Sequence, residues 1–83
     1  MADAFSQSVK LSPLSDPMAL GKLVRNARRN NSLTQTQLAG LAGTGLRFLS
    51  ELERGKPNVA LNKTLAVLAV LGLRIYIDAE PQA

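Results

Sequence analysis

Apolar residues fall along this chain at two spacings, and the change from one to the other divides it. Leu20, Leu23, Val24 and Ala27 recur at the three- and four-residue intervals of a helix face, while Lys22, Arg25 and Arg29 lie outside the stripe. Asp16 before Pro17 predicts the start of that helix, because a carboxylate accepts from orphan amides and proline fits the first helical position. Asn30, Asn31 and Ser32 predict its end, giving a helix over 17–30. Thr34 with Gln37 three residues on is a capping box, so a second helix is expected from Gln35 to Leu41 or Ala42, with Leu38, Ala39 and Leu41 inward. Gly40, Gly43 and Gly45 interrupt the pattern, and Gly43 suits the left-handed residue of a tight turn. A third helix over 45–54 turns Leu49 and Leu52 inward and stops at Gly55; a fourth over 61–71 carries Leu65, Val67, Leu68 and Leu71 and stops at Gly72.

After Gly72 the spacing becomes two. Leu73, Ile75 and Ile77 alternate with Arg74, Tyr76 and Asp78, which predicts a strand over 73–79 that Pro81 cannot continue. Residues 1–15 are polar with scattered Phe5, Val9, Leu11 and Leu14, so a flexible arm is expected; a short strand over 5–11 is the alternative, although Gln7 breaks its alternation. The chain therefore divides into an arm (1–15), a helical domain (16–72), a strand (73–79) and a tail (80–83).

Composition adds the kind of partner. With 83 residues, 46% of them hydrophobic and only Phe5, Phe48 and Tyr76 aromatic, the interior must be built from Leu, Val and Ala in close-packed helices. A domain of this size buries only about 60% of its unfolded surface, so a second subunit is an expected source of stability. Lys22, Arg25, Arg28, Arg29, Arg47, Arg54, Lys56 and Lys63 face only Glu51 and Glu53, which gives the middle of the chain a net +6 within an overall +4. A compact basic segment suits a polyanion such as nucleic acid. There is no cysteine and no histidine, and nothing calls for a metal or cofactor. No apolar run reaches the roughly 18 residues of a membrane span, and the start of the chain lacks a secretory pattern, so a cytoplasmic protein is expected.

Two short helices around a glycine turn are the geometry of a helix-turn-helix, in which the first helix braces the backbone and the second enters the major groove. Leu33, Thr34, Gln35, Leu38, Ala39, Gly43, Ser50, Glu53, Arg54 and Gly55 together resemble the XRE, or Cro/CI-type, helix-turn-helix family, and the resemblance extends from Leu20 to Gly72. Within it, RFLSELERGKP at 47–57, the leucine-rich helix ending in Leu-Gly and the apolar C-terminal strand look most like the HipB-type antitoxins. The resemblance implies an all-α, lambda-repressor-like domain of four to five helices with a short C-terminal β-strand that pairs with its copy in a homodimer. It also implies a HipA-type kinase toxin as partner, and an Arg28 and Glu53 pair that fixes the angle between the first and third helices. The turn Gly43, Thr44, Gly45, Leu46 departs from the polar residues with which the recognition helix often begins.

Candidate contacts follow from position. Gln35, at the start of the second helix, is expected on a phosphate oxygen, with a purely capping role as the alternative. Arg47, early on the third helix and outside its apolar stripe, can fork onto guanine O6 and N7, or hold phosphate or water. Glu51, one turn on, can accept from cytosine or stay hydrated. Thr44 and Gly45 are candidates for backbone contact or simply shape the turn. Leu46 can touch a thymine methyl, Ser50 belongs to the same face, and Phe48 either packs beneath the first helix or meets DNA. Arg25, Arg29, Lys56, Lys63 and Asn58 are phosphate candidates or plain surface. Leu73, Ile75 and Ile77 would form the dimer strand, whose alternative partner is the arm at 5–11; unpaired, they would leave an aggregation-prone edge.

The function implied is a DNA-binding repressor that is also the antitoxin of its own operon. A repressor without a toxin and a helix-turn-helix that has become a protein-interaction module are the alternatives. An enzyme is the poorest fit, since no phosphate-cradling loop, nucleophile with its base, or carboxylate pair is present.

Overall fold

The start signal at Asp16 works as its chemistry dictates: Asp16 Oδ1 accepts from the Ala19 amide at 2.8 Å with Pro17 at the first helical position. In the computed structural model residues 13–79 are described, and they hold four helices: α1 (Pro17–Asn30), α2 (Gln35–Ala42), α3 (Leu46–Glu53) and α4 (Leu61–Val70). The expected boundaries hold to within a residue or so. Residues 1–12 of the expected arm at 1–15, the strand alternative at 5–11 and the tail at 80–83 lie outside the described residues.

All four helices end in one hydrogen-bond pattern, the Schellman motif, in which two successive amides fold back onto carbonyls of the last turn. Ser32 and Leu33 return to Arg29 and Arg28 at 2.9 and 3.1 Å, and Gly43 and Thr44 to Gly40 and Ala39 at 3.2 and 2.9 Å. Gly55 and Lys56 return to Leu52 and Glu51, both at 3.1 Å, and Gly72 and Leu73 to Ala69 and Leu68 at 3.2 and 2.9 Å. The pivotal residue is left-handed each time, a conformation taken by glycine in three cases and by Ser32, at φ 56°, in the fourth.

Val24, Leu38, Ala39, Leu49, Leu52, Val67 and Leu68 form the buried core, ringed by Leu20, Leu33, Ala42, Phe48, Val59, Leu71 and Leu73. Helix α1 packs against α3, and α2 packs against both α3 and α4. Leu41, expected on the buried face of α2, is 63% exposed, because Ala42 rather than Leu41 shares an arc with Leu38 and Ala39. Leu23 and Leu65 are likewise displaced to the surface, while Gly21 and Thr64 take inward positions; the Thr64 hydroxyl donates to the Ala60 carbonyl at 2.9 Å. No helix among the described residues is long and apolar enough to cross a membrane.

The expected strand over 73–79 is not formed, and no strand occurs among the described residues. A strand needs a neighbour to receive its hydrogen bonds, and 73–79 forms no ladder with another segment among the described residues. Leu73 is also not a free strand residue: its amide closes the cap of α4 and its side chain packs against the core, while Ile75 is exposed and Ile77 is 91% exposed.

Helix α1 comes close to the end of α3 at Gly21, where a Cβ would lie 2.6 Å from the Leu52 carbonyl oxygen and 2.7 Å from that of Glu53. Glycine is what lets α1 cross the end of α3 at this separation. Gly21→Ala is therefore expected to lower stability by about 1–3 kcal/mol, read as a shift in denaturant midpoint at constant slope; an unchanged midpoint would mean that the helices separate freely.

Candidate nucleic-acid interface

The two helices of the turn are positioned by a buried ionic cluster. Arg28, on α1, donates through Nε to Glu53 Oε2 at 2.7 Å and through Nη2 to Glu53 Oε1 at 3.0 Å, while its Nη1 donates to the Leu33 carbonyl at 2.9 Å. Gln35 Nε2, from the first turn of α2, adds a bond to Glu53 Oε1 at 3.1 Å. The side chains of Arg28 and Glu53 are 11% and 4% exposed, so the pair is close to fully withdrawn from water. Burial pushes the Glu53 carboxyl up, but hydrogen bonds from Arg28 and Gln35 and the charges of Arg28 and Arg25 outweigh it and leave its pKa below the ordinary carboxylate value. The same hydrogen bond raises the Arg28 guanidinium above its own.

Gln35 therefore does not cap α2. The reciprocal bonds of the box belong to Thr34 and Gln37, at 3.1 Å and 2.9 Å, which leaves the Gln35 carboxamide to turn onto Glu53. At the other end of α2, Gly43 at φ 70° reverses the chain into Thr44 and Gly45, and α3 begins without a side-chain cap. Thr44 is half-buried, and its hydroxyl oxygen has no hydrogen-bond partner among the described residues.

On α3, Leu49 and Leu52 face the core, and the outer face carries the candidate reading residues. The Arg47 side chain is 92% exposed, with Nε 3.6 Å from Glu51 Oε2. Lys56, just beyond the cap at Gly55, reaches back to Glu51 Oε1 at 3.3 Å. The hydrogen bond from Lys56, with the charge of Arg47 behind it, holds the Glu51 carboxyl below the ordinary range. Leu46 is exposed and Ser50 half-buried. Phe48 is half-buried at the margin of the core rather than turned out to solvent, with Lys63 Nζ from α4 5.8 Å from its ring centroid, which gives Lys63 a cation–π role. Arg25 and Arg29 are exposed on α1, and Asn58 on the loop after α3.

The structure thus brings together Arg47, Glu51 and Lys56, and separately Gln35 with Arg28 and Glu53. It leaves Arg25, Arg29 and Asn58 as outlying groups, and it divides the expected dimer residues, since Leu73 serves its own core. Two features were missed in the sequence. Gly21 lies three residues before Val24 and seven before Arg28, on one arc, and that spacing was the available signal. The bond from Gln35 to Glu53 had none, because it depends on the angle between two helices.

The helix-turn-helix family model matches residues 24–76. An uncharacterized HTH-type transcriptional regulator of Sinorhizobium fredii is 47% identical over 66 residues, covering 80% of this chain and 87% of that protein. The immunity repressor protein of Bacillus phage phi105 is 33% identical over 58 residues, covering 70% of this chain and 40% of that one. Among solved structures, a HipB–O4 20mer complex matches with a TM-score of 0.75 at 25% identity, over 84% of this chain and all of that one. A HipA–HipB–O2–O3 complex matches with 0.76 at 22% identity, over 86% of this chain and all of that one.

Arg28→Met alone is expected to cost about 3 kcal/mol or more, because it strands Glu53 as a buried charge, while R28M combined with E53M recovers most of the loss. Because the Glu53 pKa is depressed on folding, its contribution is present above the ordinary value of 4.5 and is lost as pH falls through the folded value. Melting curves from about pH 7 to about pH 2 should show the wild type losing more stability on acidification than the double variant; parallel curves would remove Glu53 as the acid-sensitive group. Arg47→Ala is expected to cost about 1–3 kcal/mol at the operator and to relax one base position, whereas an equal loss on every duplex would assign Arg47 to phosphate.

Proposed function

We propose, for a chain that belongs to the helix-turn-helix family of DNA-binding transcriptional regulators, the function of a homodimeric repressor that reads a palindromic operator and serves as the antitoxin of a HipA-type kinase, autoregulating the operon they share. The observation that carries the DNA part is the outer face of α3, where Arg47 and Glu51, with Lys56 reaching back from beyond the cap, stand together beside a helix fixed to α1 and α2 through Glu53. Arg47 and Glu51 supply base-edge chemistry. Lys56, Arg25, Arg29, Asn58 and the start of α2 at Gln35 supply contacts to phosphate, and Thr44, Gly45, Leu46 and Ser50 line the same approach.

The dimer part is supported by apolar surface that one chain leaves uncovered. Leu61 and Leu65 on α4 and Ile75 and Ile77 beyond it are all exposed. Pairing 73–79 with the same segment of a second chain would cover those side chains and set two recognition helices about 34 Å apart, one turn of duplex. The toxin part is supported by the likeness to HipB, one of whose structures holds HipA. A repressor without a toxin is the second reading, favoured by the phage immunity repressor among the relatives.

Binding to a duplex selected from a randomised pool tests the first part. About six phosphate contacts should cost roughly a thousandfold in affinity between about 50 and 200 mM salt, and a loss below tenfold would refute phosphate clamping. For the dimer, Ile75→Glu with Ile77→Glu spares Leu73 and its core contact. Sedimentation should then report monomers, and a persisting dimer would sink the strand pairing. Co-purification of a kinase-like protein with the tagged chain from its own host separates antitoxin from solitary repressor.

A further inference from the structure

The outer face of α3 and the cap that follows it bring three charged groups together. Its exposed arginine and the lysine that follows it are both tied to one carboxylate, with Glu51 Oε2 3.6 Å from Arg47 Nε and Glu51 Oε1 3.3 Å from Lys56 Nζ. The Glu51 side chain is only 22% exposed, so its charge lies between the two cations against the protein surface. Before DNA arrives, the two groups best placed to reach guanine and phosphate are thus partly neutralised.

Approach to a duplex forces a choice. If Arg47 and Lys56 leave for the DNA, the carboxylate is stranded near phosphates without a donor. If they stay, their contacts are lost. Among base edges in the major groove only cytosine N4, and more weakly adenine N6, offers an amino donor to a carboxylate. A site with cytosine under Glu51 would release both cations at little cost, adenine less readily because its N7 acceptor lies beside the N6 donor, and guanine or thymine not at all.

We propose that Glu51 is a specificity-determining residue that acts through Arg47 and Lys56, restraining both on DNA lacking cytosine at its position and freeing both where cytosine replaces them. Discrimination then comes from a penalty on wrong sequences as much as from attraction to the right one. The proposal rests on the DNA-binding reading and goes beyond it by giving one acidic residue a negative role.

The test is Glu51→Gln in the full-length protein, with affinities measured for a random-sequence 20-base-pair duplex and for a duplex selected from a randomised pool by the wild type. Freeing two cations should raise affinity for the random duplex about tenfold and steepen its salt dependence by about one to two in the logarithmic slope. The ratio of selected to random affinity should fall about tenfold, and a fresh selection with E51Q should lose a cytosine preference in each half-site. In an R47A/K56A background the same substitution should change random-duplex affinity by less than about twofold. An undiminished gain there would show that Glu51 acts only as bulk charge and would overturn the proposal. So would random affinity that does not rise, or a loss confined to the selected duplex. A wild type that binds neither duplex at about 50 mM salt would overturn the DNA reading as well, so the two failures are distinguishable.

Discussion

The carboxylate of Glu53 holds three helices at once. It ends α3, accepts both arms of the Arg28 fork from α1, and takes a further hydrogen bond from Gln35 on α2, while the third Arg28 nitrogen secures the Leu33 carbonyl in the turn between α1 and α2. An 83-residue chain has too small a core to fix helix angles by packing alone. A charged pair withdrawn from water adds less to net stability than its short distances suggest, because desolvation offsets much of the attraction. What it adds is direction. Only one mutual orientation of the helices satisfies all four bonds, and that orientation leaves the outer face of α3 free.

Gly21 is the steric counterpart of that pair. The ionic bonds draw the end of α3 toward α1, and the missing side chain permits the approach, with two carbonyl oxygens standing where a methyl group would be. Attraction and clearance meet within two helical turns of α1, from Gly21 to Arg28. Arg25 and Arg29 are exposed on the same helix, so the element that braces the fold also presents positive charge at the surface.

The parts of this arrangement legible in the sequence were those decided within a few residues. Asp16 with Pro17, Thr34 with Gln37, and glycines at 43, 55 and 72 act on their own turns, so their meaning survives without knowledge of the fold. Leu41 and Ala42 could not be ranked in that way, since the choice depends on how α2 is rolled against α4. Phe48 was ambiguous because its destination beside Lys63 lies on another helix. The pairing of Arg47 with Glu51 follows from helical spacing, but Lys56 joins them only because the cap at Gly55 folds the chain back. The segment 73–79 has the right alternation but forms no strand among the described residues, because a ladder needs a neighbouring strand and the alternation of one segment does not provide it.

Leu73 gives the C-terminal segment a fixed origin. Its amide is held by Leu68 and its side chain by the core, so whatever 74–79 joins in the proposed dimer is attached without slack to the body that carries α3. A loose tether would let two reading heads adapt to variable gaps between half-sites. An anchored one would make the proposed dimer a ruler, for which the distance separating two half-sites becomes part of the message.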